Sequence, residues 1–107
     1  MAVVKEFKVK GADGISCWEE DLKLYDDGTL IGGSIDDGPA GGGCDFSPEQ
    51  NLSWIIKHID YLASKYPEIY VEVYDHIKNN QNPYYIYLAE HCKNKNNAYV
   101  RKLRIIK

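Results

Sequence analysis

The stretch Ser47-Pro48-Glu49-Gln50-Asn51-Leu52-Ser53-Trp54-Ile55-Ile56-Lys57-His58-Ile59-Asp60-Tyr61-Leu62-Ala63-Ser64-Lys65-Tyr66-Pro67 decides how the rest of this 107-residue chain is read. Ser47 stands as an N-cap, Pro48 at the first helical position has no N–H to lose, and Gln50 sits three residues on to close a capping box. Behind them Leu52, Ile55, Ile56, Ile59, Leu62, Ala63 and Tyr66 recur at i, i+3, i+4, i+7 spacing and make one apolar stripe. Pro67 ends it, because a proline ring disfavours helical geometry at the residue before it. The pattern predicts one amphipathic helix over 47–66. Trp54, His58 and Tyr61 fall along its flank and back, outside the stripe.

Such a stripe needs an apolar surface to cover, and the residues upstream supply strands. Segment 3–9 alternates, with Val3, Phe7 and Val9 on one side and Glu6 and Lys8 on the other, although Lys5 interrupts the apolar side. Segment 15–25 places Trp18, Leu22 and Leu24 on one face and ends at Asp27-Gly28, a hairpin signal because glycine readily takes positive φ. Segment 29–35 returns as a third strand. The run Asp36-Asp37-Gly38-Pro39-Ala40-Gly41-Gly42-Gly43-Cys44-Asp45 reads as a loop by every breaker rule.

Downstream of Pro67 the alternation resumes. Ile69, Val71 and Val73 oppose Tyr70, Glu72, Tyr74 and His76, and after the polar segment 78–83, Ile86 and Leu88 oppose Tyr85, Tyr87 and Ala89. A last basic strand is expected over 99–106. The order is βββ-α-βββ, which predicts an α+β fold: an antiparallel sheet with a single amphipathic helix packed on one face, in one domain over 1–107. The sheet face without a helix would then show Tyr70, Tyr74, Tyr85 and Tyr87 beside Glu72, His76 and His91.

Charge is segregated along the chain. Between Asp13 and Glu49 ten carboxylates face one base, Lys23, although the whole chain carries only −3. A one-signed patch speeds encounter with an oppositely charged partner, and the bland alternative is neutralisation by Lys5, Lys8 and Lys10 on a neighbouring strand. The segment before the first charge is too short for a secretory apolar region, and no apolar run approaches membrane-spanning length, so the expectation is a soluble, cytoplasmic protein. Three widely spaced cysteines, Cys17, Cys44 and Cys92, do not make a disulfide framework and fit a reducing compartment.

Chemical motifs are weak. Gly41-Gly42-Gly43 before a helix could cradle a phosphate, but the Gly-Lys-Ser/Thr pattern is absent and Asp36, Asp37, Asp45 and Glu49 would repel an anion. The same carboxylates oppose an acidic Cys44 thiol, and no histidine is diagnostically spaced from it. Zinc would require Cys17, Cys44, His91 and Cys92 to converge, and calcium lacks the spaced acidic loop. No catalytic residue, metal or cofactor is assigned.

The expected function is a non-catalytic protein-binding module, a small acidic inhibitor of the kind that phage anti-defence and toxin-immunity proteins represent. It would block a basic surface of a partner, such as a nucleic-acid-handling protein. Glu19, Glu20, Asp21, Asp26, Asp27, Asp36 and Asp37 are the acidic contact candidates; Trp54, Tyr61, Tyr70, Tyr74, Tyr85 and Tyr87 are the aromatic ones, since Trp and Tyr are favoured interface anchors. A second class is a small-ligand binder using the Tyr-lined sheet with the Gly-rich loop as a lid. A third is single-stranded nucleic-acid binding through the tyrosines and Arg101, Lys102 and Arg104; a pI near 5.5 weighs against direct contact of that kind.

Overall fold

A computed structural model describes residues 2–12, 17–36 and 42–106. Four strands, β1 (Val3–Ala12), β2 (Cys17–Tyr25), β3 (Leu30–Asp36) and β4 (Gly42–Phe46), form one antiparallel sheet in the order β1-β2-β3-β4. Three helices follow: α1 (Pro48–Ala63), α2 (Ile69–Ile77) and α3 (Pro83–Ile106). The fold is α+β. Among the described residues no helix is long and apolar enough to cross a membrane.

The expected βββ-α-βββ order is corrected in its second half. Segments 69–77, 84–92 and 99–106 are helical, and the tyrosine-lined sheet face does not exist. The physical reason lies in what is buried. In α2 the buried residues are Ile69, Val73 and Ile77, four apart, and in α3 they are Tyr85, Leu88, Ala89 and Cys92, at i, i+3, i+4, i+7. A helical stripe lay beneath the alternation, and tertiary packing overrode the strand preference of the Tyr and Val residues. The start of α3 is also capped: the Tyr84 N–H donates to Asn82 Oδ1 at 2.9 Å, with Pro83 at the first helical position. The second correction is β4, whose residues were expected in a loop.

The capping box at Ser47 forms as expected. The Gln50 N–H donates to Ser47 Oγ at 3.3 Å and the Ser47 N–H to Gln50 Oε1 at 2.9 Å. One turn later the backbone leaves helical geometry at Asn51 (φ −156°, ψ 79°), and Asn51 Oδ1 accepts from the Trp54 N–H at 3.1 Å. Asn51 thus acts as a second cap, and the helix restarts in the direction that carries Trp54 towards the sheet.

Phe7, Leu22, Leu24 and Leu30 on the helix side of the sheet meet Ile55, Ile59 and Leu62 of α1 and the buried stripes of α2 and α3 to make the core. α1 lies tight on β3, because a Cβ on Gly32 would come within 3.0 Å of His58 Cδ2 and Ile55 Cδ1. Polar side chains pin the layers together. His58 Nε2 donates to the Asp21 carbonyl at 2.8 Å, which sets its tautomer, and the Tyr66 hydroxyl donates to the Lys8 carbonyl at 2.8 Å. The Tyr85 hydroxyl accepts from the Leu30 N–H at 3.2 Å and donates to the Leu30 carbonyl at 3.3 Å.

The other face of the sheet carries charge. Pairing Lys8 with Asp21, Glu6 with Lys23 and Lys10 with Glu19 puts those six side chains on one side. The result is a ladder of ion pairs: Lys8 to Glu19 at 3.2 Å and to Glu6 at 3.3 Å, Lys10 to Glu19 at 3.9 Å, Lys23 to Asp21 at 3.9 Å and to Glu6 at 4.0 Å.

Candidate functional site

The acidic candidates do not gather into one patch. Glu19 and Asp21 belong to the ion-pair ladder just described, which is the internal neutralisation weighed for this segment. Asp26 and Asp27 sit at the β2–β3 turn, whereas Asp36 closes β3 at the far end of the sheet, its backbone paired with Trp18. Asp37 lies outside the described residues. Glu20 faces the helix side, paired with Ser34 of β3.

The aromatic candidates also separate. Tyr85 is 2% exposed and belongs to the core, so it offers no contact surface. Tyr74 is half-buried against the same cluster. The Tyr70 hydroxyl donates to Asp60 Oδ1 at 2.8 Å, and burial together with that bond pushes its phenol well above the usual tyrosine range. His91 Nε2 reaches the same Asp60 oxygen at 2.9 Å, so the three helices are joined through one carboxylate. Cys92 beside it is pushed up to about 12, first by burial and then by Asp60. Tyr87 stands 62% exposed on α3, where it borders a shallow groove with Leu52 and Ile56.

Three of the candidates are brought together. Glu20, Trp54 and Tyr61 line one cleft of about 380 Å³ with Ser34, Cys44, Lys57 and His58. Its geometry follows from the restart of α1 at Asn51. Trp54 stacks on the buried His58 ring at 4.4 Å and 14°, and Phe46 meets Trp54 edge-on at 5.2 Å. With His58 tied to Asp21 and Phe46 fixed by the strand, the indole is held as a wall. Tyr61, 47% exposed, stands at the rim. Cys44 enters from the sheet side, because its pairing with Ser34 puts both on the helix face.

On the opposite face, behind the cleft, two carboxylates share a small space. Asp21, Gly33 and Asp45 are paired across β2, β3 and β4. A Cβ on Gly33 would come within 2.6 Å of Asp45 Oδ1 and 2.7 Å of Asp21 Oδ1, so glycine alone leaves room for both side chains to lie over the strand. Burial holds the Asp21 carboxyl above its ordinary value, with Lys23 opposing and Glu6, Asp45 and Glu19 adding to the shift. Neither Glu20 nor Asp45 takes part in any of the described ion pairs. Among the described residues no group of three or more His, Cys, Asp or Glu side chains is placed to hold a metal ion.

Sequence reasoning missed Ser34 and Lys57 as lining of the cleft and Asp45 on the face behind it, and missed the strand that brings Cys44 into the cleft. A usable signal was present in Phe46, an apolar residue directly before the N-cap, where such side chains pack back onto the helix. Comparison of the chain with protein-family models, curated proteins and solved structures yields no match.

Proposed function

We propose that this chain is a non-catalytic protein-binding module that docks through the Trp54–Tyr61 cleft on a basic surface of a partner protein and acts by covering it. The observation that supports this reading is the joining of a fixed aromatic wall, an exposed tyrosine rim and the Glu20 carboxylate in one cleft. Rigid aromatic rings provide contact area at low cost in side-chain entropy, and interface energy concentrates on such anchors. Carboxylates that enter no ion pair among the described residues are the ones left to attract a cationic surface, and Glu20 and Asp45 flank this end of the sheet. Lys57 and Glu20 offset one another in the cleft, so on this reading the cleft takes an apolar or aromatic side chain and the carboxylates around it face the partner's bases.

The test is affinity capture at low salt from the source cell or its host, with wild type, Tyr61→Ala and a Glu20→Lys/Asp45→Lys double variant as baits of matched circular dichroism. The reading expects a basic protein retained by wild type, released by salt, and lost from both variants. An identical set of captured proteins on all three baits would refute it.

A further inference from the structure

The two edges of the sheet are finished differently. β1 carries Lys5, Lys8 and Lys10, and its Lys8 carbonyl accepts the Tyr66 hydroxyl. Lysines and a covering side chain are devices that keep an edge from recruiting another strand. Among the described residues β4 has no such cover. Gly42-Gly43-Cys44-Asp45-Phe46 contains no lysine and no proline, its first four residues are exposed, and as the terminal strand it meets no further strand among the described residues. In an antiparallel edge strand alternate residues turn N–H and C=O outward, so β4 presents backbone groups beside the cleft.

We infer that the β4 edge accepts an extended segment of a partner protein as a fifth strand, with Lys or Arg opposite Asp45 and an apolar side chain opposite Cys44. This rests on the binding role proposed above and adds the mode and chemistry of recognition. Strand addition draws affinity from main-chain hydrogen bonds and specificity from alternate side chains. On the helix side, the residue opposite Cys44 borders the end of the cleft where Phe46 and Trp54 pack, and this apolar wall favours an uncharged group. On the open side, the residue opposite Asp45 meets two carboxylates. Asp21 is nine-tenths buried through its side chain, and its one described ion pair, to Lys23, spans 3.9 Å. A guanidinium or ammonium group there balances an excess of negative charge that one lysine leaves uncompensated. The short length of β4 confines the added strand to this spot, next to both faces that read it.

The probe is a terminally blocked heptapeptide of alternating valine and arginine, added to the 15N-labelled full chain. The expected result is amide shift changes and slowed hydrogen exchange at alternate residues within 43–46. Affinity should fall about tenfold in Asp45→Asn, and by at least about tenfold for a peptide N-methylated at alternate residues, each a loss of about 1.4 kcal/mol. A peptide that binds equally well when N-methylated overturns strand addition and leaves cleft recognition standing. Binding at β4 that is unchanged by Tyr61→Ala supports strand addition and overturns the part of the proposed function that gives Tyr61 a partner contact. No change at β4 amides at millimolar peptide, or equal binding by a glutamate-for-arginine peptide, overturns the inference.

Discussion

The two ends of the sheet use their polar groups in opposite ways. At the β2–β3 turn nearly every such group is claimed from within. Asp27 Oδ1 accepts the Thr29 N–H at 3.1 Å and also its hydroxyl, which holds the Asp27 carboxyl below the usual carboxylate range. The Thr29 carbonyl accepts from His76 Nε2 at 3.2 Å, the Gly28 carbonyl from Asn80 Nδ2 at 3.1 Å, and Leu30 is held through both backbone groups by Tyr85. At the β4 end the aromatic wall is equally well fixed, but Tyr61, Glu20, Asp45 and the strand edge are turned outward. The difference teaches that one end of the sheet is clasped from within, whereas the other leaves the surface on which the proposed function depends, within the same four strands.

Substitutions at the clasped end should therefore be the most damaging. Leu30→Ala removes a fully buried side chain at the meeting of β3 and α3 and is expected to cost about 2–5 kcal/mol in denaturant unfolding. Tyr85→Phe keeps the ring but leaves the buried Leu30 N–H and carbonyl without the hydroxyl, for about 1–3 kcal/mol. A loss under about 0.5 kcal/mol in both variants, within the usual range for surface substitutions, would break the contrast, because the turn would then be no better anchored than the free edge.

Midway between the ends, Gly32→Ala tests how closely α1 is seated. The new methyl group meets His58 and Ile55 at 3.0 Å and Trp54 at 3.1 Å, so the helix must yield by a few tenths of an ångström. Overpacking of this kind costs about 1–3 kcal/mol. Trp54 fluorescence should shift with it, since the indole lies against the same spot, and Trp18→Phe removes the competing signal. An unchanged spectrum and midpoint would mean that the cleft wall is not set by that contact.

These positions also show what the chain could disclose before folding. Ser47, Pro48 and Gln50 announced α1 because a cap is a local arrangement, written in adjacent residues. The strands β1, β2 and β3 were legible for the same reason: Asp27-Gly28 fixes the turn between β2 and β3, and the apolar period of two needs no distant partner. Segment 69–77 was not legible, since Ile69, Val71 and Val73 fit a strand while Ile69, Val73 and Ile77 fit a helix. Which set is buried depends on the core residues of β1 to β3, more than thirty residues away. β4 was hidden by its glycines, which ordinarily mark a loop, and Gly33 shows why one is needed nearby. The cleft was legible only in part: Trp54 and Tyr61 stood out from the stripe, but the register that brings Glu20 and Cys44 to them is a tertiary fact.

The open face gives a pH test of smaller size. Asp21 has its carboxyl raised by burial, so the folded state binds its proton at a higher pH than the unfolded chain does. For this group stability therefore increases as pH falls through the raised value towards the ordinary aspartate value of 3.8, and the charged form is a liability at neutral pH. Asp21→Asn should raise the melting temperature at pH 7 by less than about 4 °C, and the gain should shrink as the pH approaches 4. A gain that grows on acidification would show that the pairing with Lys23 outweighs burial.

The smallest expected effect on stability is the sharpest on the comparison. Tyr61→Ala removes a side chain that is 47% exposed and whose hydroxyl enters none of the described hydrogen bonds, so thermal unfolding should move by no more than about 0.5 kcal/mol. Its partner contact should nonetheless be lost, because an exposed tyrosine beside a fixed indole contributes where water is excluded on docking and almost nothing before it. A marked loss of stability instead would place Tyr61 among the groups that hold the fold, and the outward end of the sheet would then resemble the clasped one.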